Sequence, residues 1–333
     1  MTKVALNGFG RIGRAVFKNI IKNYPDLELV AVNDLADPDE LLHLLRYDTV
    51  YGKYKVEKSD DCFLVDGQEI KIFNKENPGE LPWDELKVDV VLECTGAFRT
   101  AEGSKKHIEA GAEKVIISAP AKSSDIPSYV MGVNVDEYRG EKIVDMGSCT
   151  TNALAPVVKI LNKNFGIEEG LMTTIHSYTV SQNILDGPGR KDLRRCRAAA
   201  ENIVPTTTGA AKAISKVIPE MEGKLDGMAV RVPTPTVSVV DLVCKLNCKA
   251  TENKINRAFE EESRKESMQG IFTVEERPLV SSDYVKNSHS SIVDLEMTKV
   301  VGESVKVISW YDNEWGYARR LVDFAKHVGS FEK

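Results

Sequence analysis

Residues 3–14 read Lys3-Val4-Ala5-Leu6-Asn7-Gly8-Phe9-Gly10-Arg11-Ile12-Gly13-Arg14. The apolar run before the first glycine predicts a strand over Lys3–Asn7, and Arg11–Asn23 carries apolar residues at helical spacing. Glycines between such elements permit a tight turn, close approach of backbone to a pyrophosphate and close helix packing. The helix N-terminus then offers its positive end to the anion. By itself a GxGxxG spacing marks only a tight strand-to-helix turn. Here a second strand, Leu27–Asn33, follows the helix and ends at Asp34, where an acid accepts from ribose hydroxyls and repels a 2′-phosphate. The stretch therefore predicts a dinucleotide site on Gly8, Phe9, Gly10, Arg11, Ile12 and Asp34, with NAD preferred over NADP.

Outward from this turn, strands and helices keep alternating. Asp37–Arg46 reads as a helix, and Cys62–Val65 and Glu69–Phe73 as a hairpin turning at Asp66-Gly67. The β-α pattern resumes through Val88–Glu93, Ala101–Ala110, Lys114–Ser118 and Tyr129–Val133. This is the pattern of an α/β domain built on a Rossmann-type, doubly wound parallel sheet. After Cys149 the texture changes. A helix over Thr151–Asn164 leads into longer, β-branched strands at Gly170–Val180, Leu225–Val232, Thr236–Leu246, Ser291–Asp294 and Val305–Trp310. Helices are expected at Gly209–Val217, Ala250–Lys265 and Trp315–Phe331. The second half therefore reads as an α+β domain with a mixed or antiparallel sheet.

A chain of 333 residues favours two domains. With 44 basic against 50 acidic residues it carries a formal charge of −6, which disfavours nucleic acid as the main partner. A small anionic substrate needs only a local basic pocket. The apolar runs are strand-sized, too short for a membrane span. The N-terminus enters a strand at once, with no secretory leader expected. Six cysteines stand at scattered positions without paired CxxC spacing, which predicts reduced thiols, no metal site and a cytoplasmic location.

Among those cysteines, Cys149 stands out. It lies in Ser148-Cys149-Thr150-Thr151-Asn152, immediately before a helix whose positive end stabilises thiolate over thiol. A buried structural role is the commoner fate of such a residue and suffices for Cys62, Cys94, Cys244 and Cys248. His176 emerges at the end of an apolar strand and supplies a candidate base, making a Cys/His couple for nucleophilic catalysis. The other histidines, His43, His107, His289 and His327, read as packing or surface residues. Arg231 sits within an apolar strand and must meet either an anion or a carboxylate, with nothing to choose between them. Thr206-Thr207-Thr208-Gly209 and Thr179 are candidate phosphate cradles. The basic run from Arg190 to Arg197 lies beside them, facing solvent, substrate or a neighbouring subunit.

Motifs spread along the chain then converge on one family. These are Asn-Gly-Phe-Gly-Arg-Ile-Gly-Arg at 7–14, Glu-Cys-Thr-Gly at 93–96, Ser-Cys-Thr-Thr-Asn at 148–152, Lys-Asp-Leu-Arg-Arg at 191–195, Pro-Thr-Thr-Thr-Gly-Ala-Ala-Lys at 205–212 and Trp-Tyr-Asp-Asn-Glu-Trp-Gly-Tyr at 310–317. The chain closely resembles phosphorylating glyceraldehyde-3-phosphate dehydrogenases from residue 7 to its last helix. The resemblance implies oxidation of glyceraldehyde 3-phosphate by NAD and inorganic phosphate, with Cys149 as nucleophile and His176 as base. It implies that Thr179 and Arg231 hold the substrate phosphate, and that Ser148, Thr150, Thr208 and Gly209 hold the attacking one, with Arg195 nearby. It adds Thr95, Gly96, Ser118, Asn313 and Tyr317 to the cofactor site. It implies a homotetramer, an NAD-binding domain over 1–148 with the helix 315–333 packed back on it, and a catalytic domain over 149–314.

Several residues depart from the family pattern. Asp145-Met146-Gly147 replaces Ser-Asn-Ala before the nucleophile, and Ser177 fills a position commonly Ala. Gly189-Arg190 replaces a familiar His, and Ala153 replaces a frequent second cysteine, so no disulfide can join Cys149 to that position. Two rival readings remain: an erythrose-4-phosphate dehydrogenase on the same scaffold, whose thioester goes to water, and a non-catalytic binding protein of this fold.

Overall fold

The glycine turn joins β1 (Thr2–Asn7) to α1 (Arg11–Asn23) in the computed structural model, which describes residues 1–189 and 192–331. β2 (Leu27–Asn33) follows, and then α2 (Pro38–Arg46), whose N-cap Asp37 accepts from the Asp39 N–H. The sheet is completed by β3 (Glu57–Ser59), β4 (Cys62–Val65), β5 (Gln68–Phe73), β6 (Val90–Glu93), β7 (Lys114–Ile117) and β8 (Ile143–Asp145), with α3 (Ala101–Glu109) between β6 and β7. The strand order is β8-β7-β6-β1-β2-β5-β4-β3. The five pairings from β8 to β5 are parallel, and the hairpin strands β4 and β3 add antiparallel edges. Val4, Ala5 and Leu6 on β1 and Val90, Val91 and Leu92 on β6 are wholly buried, as continuous apolar strands of a parallel sheet must be.

This sheet belongs to one compact unit, made of Met1–Tyr129, Asp136–Gly147 and the chain from Ala318. A second unit comprises Val130–Val135 and Ser148–Tyr317. It contains α4 (Cys149–Phe165) and a seven-stranded sheet. The strands are β9 (Ile167–Ser177), β10 (Val204–Thr207), β11 (Leu225–Val232), β12 (Ser238–Leu246), β13 (Phe272–Glu275), β14 (Ser291–Val301) and β15 (Ser304–Tyr311), in the order β10-β11-β9-β12-β15-β14-β13. The sheet is mixed: β9–β11 and β13–β14 are parallel and the other pairs antiparallel. Along β12 the residues Val240, Leu242, Cys244 and Leu246 are buried, alternating with more exposed neighbours, so one face carries the core. α4 and α5 (Glu252–Ser263) pack in the same core cluster, while α6 (Trp315–Gly329) closes the chain.

Some expectations need correction. Residues 129–133 form no strand: Gly132 takes φ +76° and the Asn134 side chain accepts from the Val130 N–H, which folds the segment into turns. The helix expected over Gly209–Val217 is regular only from Ile214 to Val217, because residues 209–213 mix i+4 and i+3 hydrogen bonds. Arg190 and Lys191, half of the basic run's first four residues, lie outside the described residues. Among the described residues no helix is long and apolar enough to cross a membrane.

Candidate active site

Cys149 is the first residue of α4, and Ser148 caps that helix by accepting from the Thr151 N–H at 3.0 Å. A cap of this kind contributes about 1 kcal/mol and fixes where the helix begins. It sets the sulfur at the positive end of the dipole. The opposite wall is β9. His176 lies near its end, almost fully buried, with Nε2 3.5 Å from the Cys149 sulfur. Its other ring nitrogen, Nδ1, lies 2.8 Å from the Ser177 carbonyl. The tautomer with its proton on Nδ1, toward that carbonyl, leaves the Nε2 lone pair facing sulfur, the orientation a base requires; in the other, Nδ1 accepts from Arg231 Nη1 and the proton sits on Nε2.

Arg231 enters through sheet register. β9 and β11 are parallel neighbours in which His176 and Arg231 are paired. The guanidinium Nη1 donates to the same Ser177 carbonyl at 2.9 Å and lies 2.6 Å from His176 Nδ1. Of the two fates open to Arg231, the carboxylate is absent among its hydrogen bonds and ion pairs in the described residues, and its buried Nε has no partner. A half-buried cation without a counterion is a ready anion site. Arg195 adds charge nearby: its Nε donates to Thr206 Oγ1 at 2.9 Å, and its field disfavours further positive charge on His176 and Arg231.

Burial pushes the Cys149 thiol up, while the Arg231 charge and hydrogen bonds from Thr150 pull it down. Burial, then the Arg231 charge, depress His176 to about 3. The imidazole is therefore neutral at physiological pH and able to accept a proton. An anion placed on Arg231 cancels part of the repulsion and strengthens the base at that moment.

Tyr311 was not singled out from the sequence. Its buried hydroxyl bonds Thr150 Oγ1 and Thr174 Oγ1, each at 2.9 Å, and its ring meets His176 edge-on. It ties the start of α4 to β9. It lay within the Trp-Tyr-Asp-Asn motif, but only the fold reveals the two threonines it joins. Ser177 Oγ bonds Thr234 Oγ1 and the Val237 carbonyl, which explains how a polar residue is satisfied there. The remaining candidate groups bond locally: Thr179 to Ser181 Oγ, and Thr208 Oγ1 to the Ala210 N–H, beside exposed Gly209. Asn313 accepts from Ser238 Oγ at 2.9 Å and is buried, as is Tyr317, both in the second unit.

In the first unit, Gly8 takes φ +97°, and a Cβ there would stand 2.6 Å from the Thr95 nitrogen. A Cβ on Gly13 would strike the Gly8 carbonyl at 2.2 Å, whereas one on Gly10 would meet nothing within 4 Å. Two glycines thus serve packing, and the third leaves open space at the start of a helix without a side-chain cap. Those are the features a pyrophosphate requires. Asp34 is held by the Phe9 N–H at 2.6 Å and the Ala36 N–H at 3.0 Å. Phe9 is itself buried against Phe17 and Phe63, Ile12 follows in the first helical turn, and the Arg11 side chain pairs with Asp48 at 2.7 Å. Gly96 takes φ +73°, and Ser118 follows β7 with its N–H on the Glu93 carbonyl. Thr95 commits both its N–H and its hydroxyl to the Glu93 carboxylate.

His107 is a packing residue, as expected, and it also carries polar partners. It is wholly buried, accepts from Trp83 Nε1 at 3.0 Å and faces Glu93 at 3.3 Å. A cavity of about 830 Å3 lies elsewhere on the second unit; its Lys212 and Asp226 already pair with each other.

Two family models match the chain. One, described as glyceraldehyde 3-phosphate dehydrogenase, NAD binding domain, covers residues 2–101, and its C-terminal domain counterpart covers 148–313. Curated relatives align over nearly their whole length. A glyceraldehyde-3-phosphate dehydrogenase of Geobacillus stearothermophilus is 53% identical, with 98% of each chain covered. Glyceraldehyde-3-phosphate dehydrogenase 1 of Bacillus subtilis is 52% identical and glyceraldehyde-3-phosphate dehydrogenase 2 of Streptomyces avermitilis 51%, again with 98% of each chain covered.

Proposed function

The chain belongs to the glyceraldehyde-3-phosphate dehydrogenase family, and we propose that it oxidises glyceraldehyde 3-phosphate with NAD and inorganic phosphate to 1,3-bisphosphoglycerate. The observation that carries this reading is the Cys149–His176–Arg231 cluster at the start of α4. NAD, when bound, supplies the hydride acceptor.

The Cys149 sulfur attacks the aldehyde carbon, and its proton passes to His176 Nε2. The protonated imidazole neutralises the new oxyanion, giving a hemithioacetal on Cys149. His176 then takes the hydroxyl proton back as hydride departs, leaving a thioester. An oxygen of inorganic phosphate adds to the thioester carbonyl, the C–S bond breaks and the thiolate returns. The cationic surroundings of Arg231 and Arg195 support the binding of both phosphates, with Thr179 and Arg231 on the substrate side. Ser148, Thr150, Thr208 and Gly209 serve the attacking phosphate, with Arg195 beside them. Asn313, with its oxygen engaged by Ser238, is suited to present its amide N–H to a carboxamide.

We assign residues 1–148 to the NAD-binding domain, with the C-terminal helix packed back on it, and 149–314 to catalysis. A homotetramer is supported by exposed Val180, Ile184, Leu185, Leu193 and Ile203 in and beside the loop after β9, an apolar group that association would cover. Six cysteines without a disulfide support a reducing, cytoplasmic setting. The test is NADH formation with and without phosphate: the reading requires turnover to stop after one acylation without phosphate. Turnover indifferent to phosphate favours release to water, as in the erythrose-4-phosphate reading.

A further inference from the structure

Glu93 ends β6 wholly buried, and the catalytic steps make no use of it. Four donors converge on its carboxylate. The Thr95 N–H donates to Oε1 at 2.8 Å and the Thr95 hydroxyl to the same oxygen, while Asn7 Nδ2 donates to Oε2 at 2.5 Å. His107 Nε2 lies 3.3 Å from Oε2. An indole N–H can only donate, so Trp83 Nε1, 3.0 Å from His107 Nδ1, makes that nitrogen the acceptor and sets the ring proton on Nε2, toward Glu93.

The chain of bonds continues into the glycine turn and the end of β2. Asn7 Oδ1 accepts from Asn33 Nδ2 at 2.7 Å, and the Asn33 carbonyl accepts from the Gly8 N–H at 2.7 Å. Asn33 directly precedes Asp34, and Gly8 has no room for a Cβ against the Thr95 nitrogen. One carboxylate thus fixes the glycine turn, the end of β2 and the Thr95–Gly96 turn relative to each other. A buried carboxylate is a poor way to gain stability, since apolar groups of the same volume do as well or better. Its place at the junction of three ligand-facing loops gives it a different use.

We propose that Glu93 is a positioning residue for NAD, holding these three loops at the spacing the dinucleotide needs, with His107 and Trp83 anchoring the carboxylate from behind. This rests on the dinucleotide reading of the Gly8 turn. Glu93→Gln keeps shape and volume but turns an NH2 group toward donors: Thr95 N–H, Asn7 Nδ2 and His107 Nε2 cannot accept from it, and only the Thr95 hydroxyl can turn to do so. His107→Phe keeps a ring of similar size and removes both of its hydrogen bonds.

The experiment is calorimetric titration of the NAD-free proteins with NAD, alongside the rate of Cys149 alkylation by iodoacetamide. Glu93→Gln should raise the Kd for NAD about tenfold and His107→Phe about threefold, with alkylation of Cys149 unaltered. The Trp83 indole N–H resonance, identified by Trp83→Phe, should move on NAD addition in the parent protein and be displaced already in free His107→Phe. If Glu93→Gln does not fold, His107→Phe carries the decision. Kd values within twofold of the parent in both variants overturn the proposal, as does an equal loss of NAD affinity and of Cys149 alkylation, which would mark general damage. Failure of the parent chain to bind NAD would instead overturn the dinucleotide reading itself.

Discussion

Replacing Arg231 by Leu should raise the titration of His176. The guanidinium nitrogen lies 2.6 Å from His176 Nδ1, and its charge is the second cause, after burial, of a titration near 3. With the two charges spread over their groups, the effective separation is about 6 Å; at an effective dielectric of about 20 the repulsion is about 3 kcal/mol, or about 2 pH units. The midpoint should therefore move to about 5, still below the free-histidine value because burial persists. The measurement is a pH titration of 15N-histidine-labelled protein by NMR in a Cys149→Ala background, which removes coupling to sulfur. With five histidines in the chain, His176 is identified by its loss in His176→Asn. With Arg231 present, His176 should show no titration above pH 4.5. Inorganic phosphate should raise its midpoint in that protein and raise it less in Arg231→Leu, where only the weaker field of Arg195 remains to be offset. A midpoint that is the same with and without Arg231 would refute the coupling, and with it the account of how substrate charge strengthens the base.

Other outcomes follow from the same geometry. His176 is held neutral below its unfolded value of about 6.5, so the unfolded chain binds a proton that the folded chain refuses; stability is lost as pH falls from about 6.5 toward about 3, by roughly 1.4 kcal/mol per pH unit. Urea unfolding at pH 7.5 and 5.5 should show a smaller acid loss in His176→Asn, and an equal loss in both proteins would contradict the burial argument. Gly8→Ala should destabilise by about 2–3 kcal/mol and abolish NAD binding, because φ +97° and the Thr95 backbone both exclude a methyl group. Gly10→Ala should leave the melting temperature unchanged yet weaken NAD at least tenfold, since nothing of the protein stands where its Cβ would go and the space is left to the pyrophosphate. Equal NAD affinity in Gly10→Ala and parent would remove the pyrophosphate from that turn.

Much of the first unit was legible because its signals are local. The helix over Arg11–Asn23 and the strand over Leu27–Asn33 have the predicted bounds, since apolar period and glycine punctuation agree there. The strands Ile143–Asp145, Val204–Thr207 and Phe272–Glu275 were not legible, being three or four residues long and defined by distant partners. Residues 209–213 failed as helix because their apolar spacing describes a turn equally well. At the candidate site, residue types and positions pointed to Cys149, His176 and Arg231. Their convergence depends on α4 meeting β9 and on parallel register with β11, which no local pattern encodes. The same limit hid His107, whose partners come from three separate segments.

The central claim is that Cys149 carries the substrate as a thioester, and trapping that species tests it most directly. The parent chain, mixed with NAD and glyceraldehyde 3-phosphate without phosphate, should release about one NADH per site, and mass spectrometry of the quenched protein should place one phosphoglyceryl group on the Cys149 peptide. Added phosphate should discharge it, and Cys149→Ala should give neither burst nor adduct while still binding NAD. An adduct on another residue, or sustained turnover by Cys149→Ala, would contradict the account.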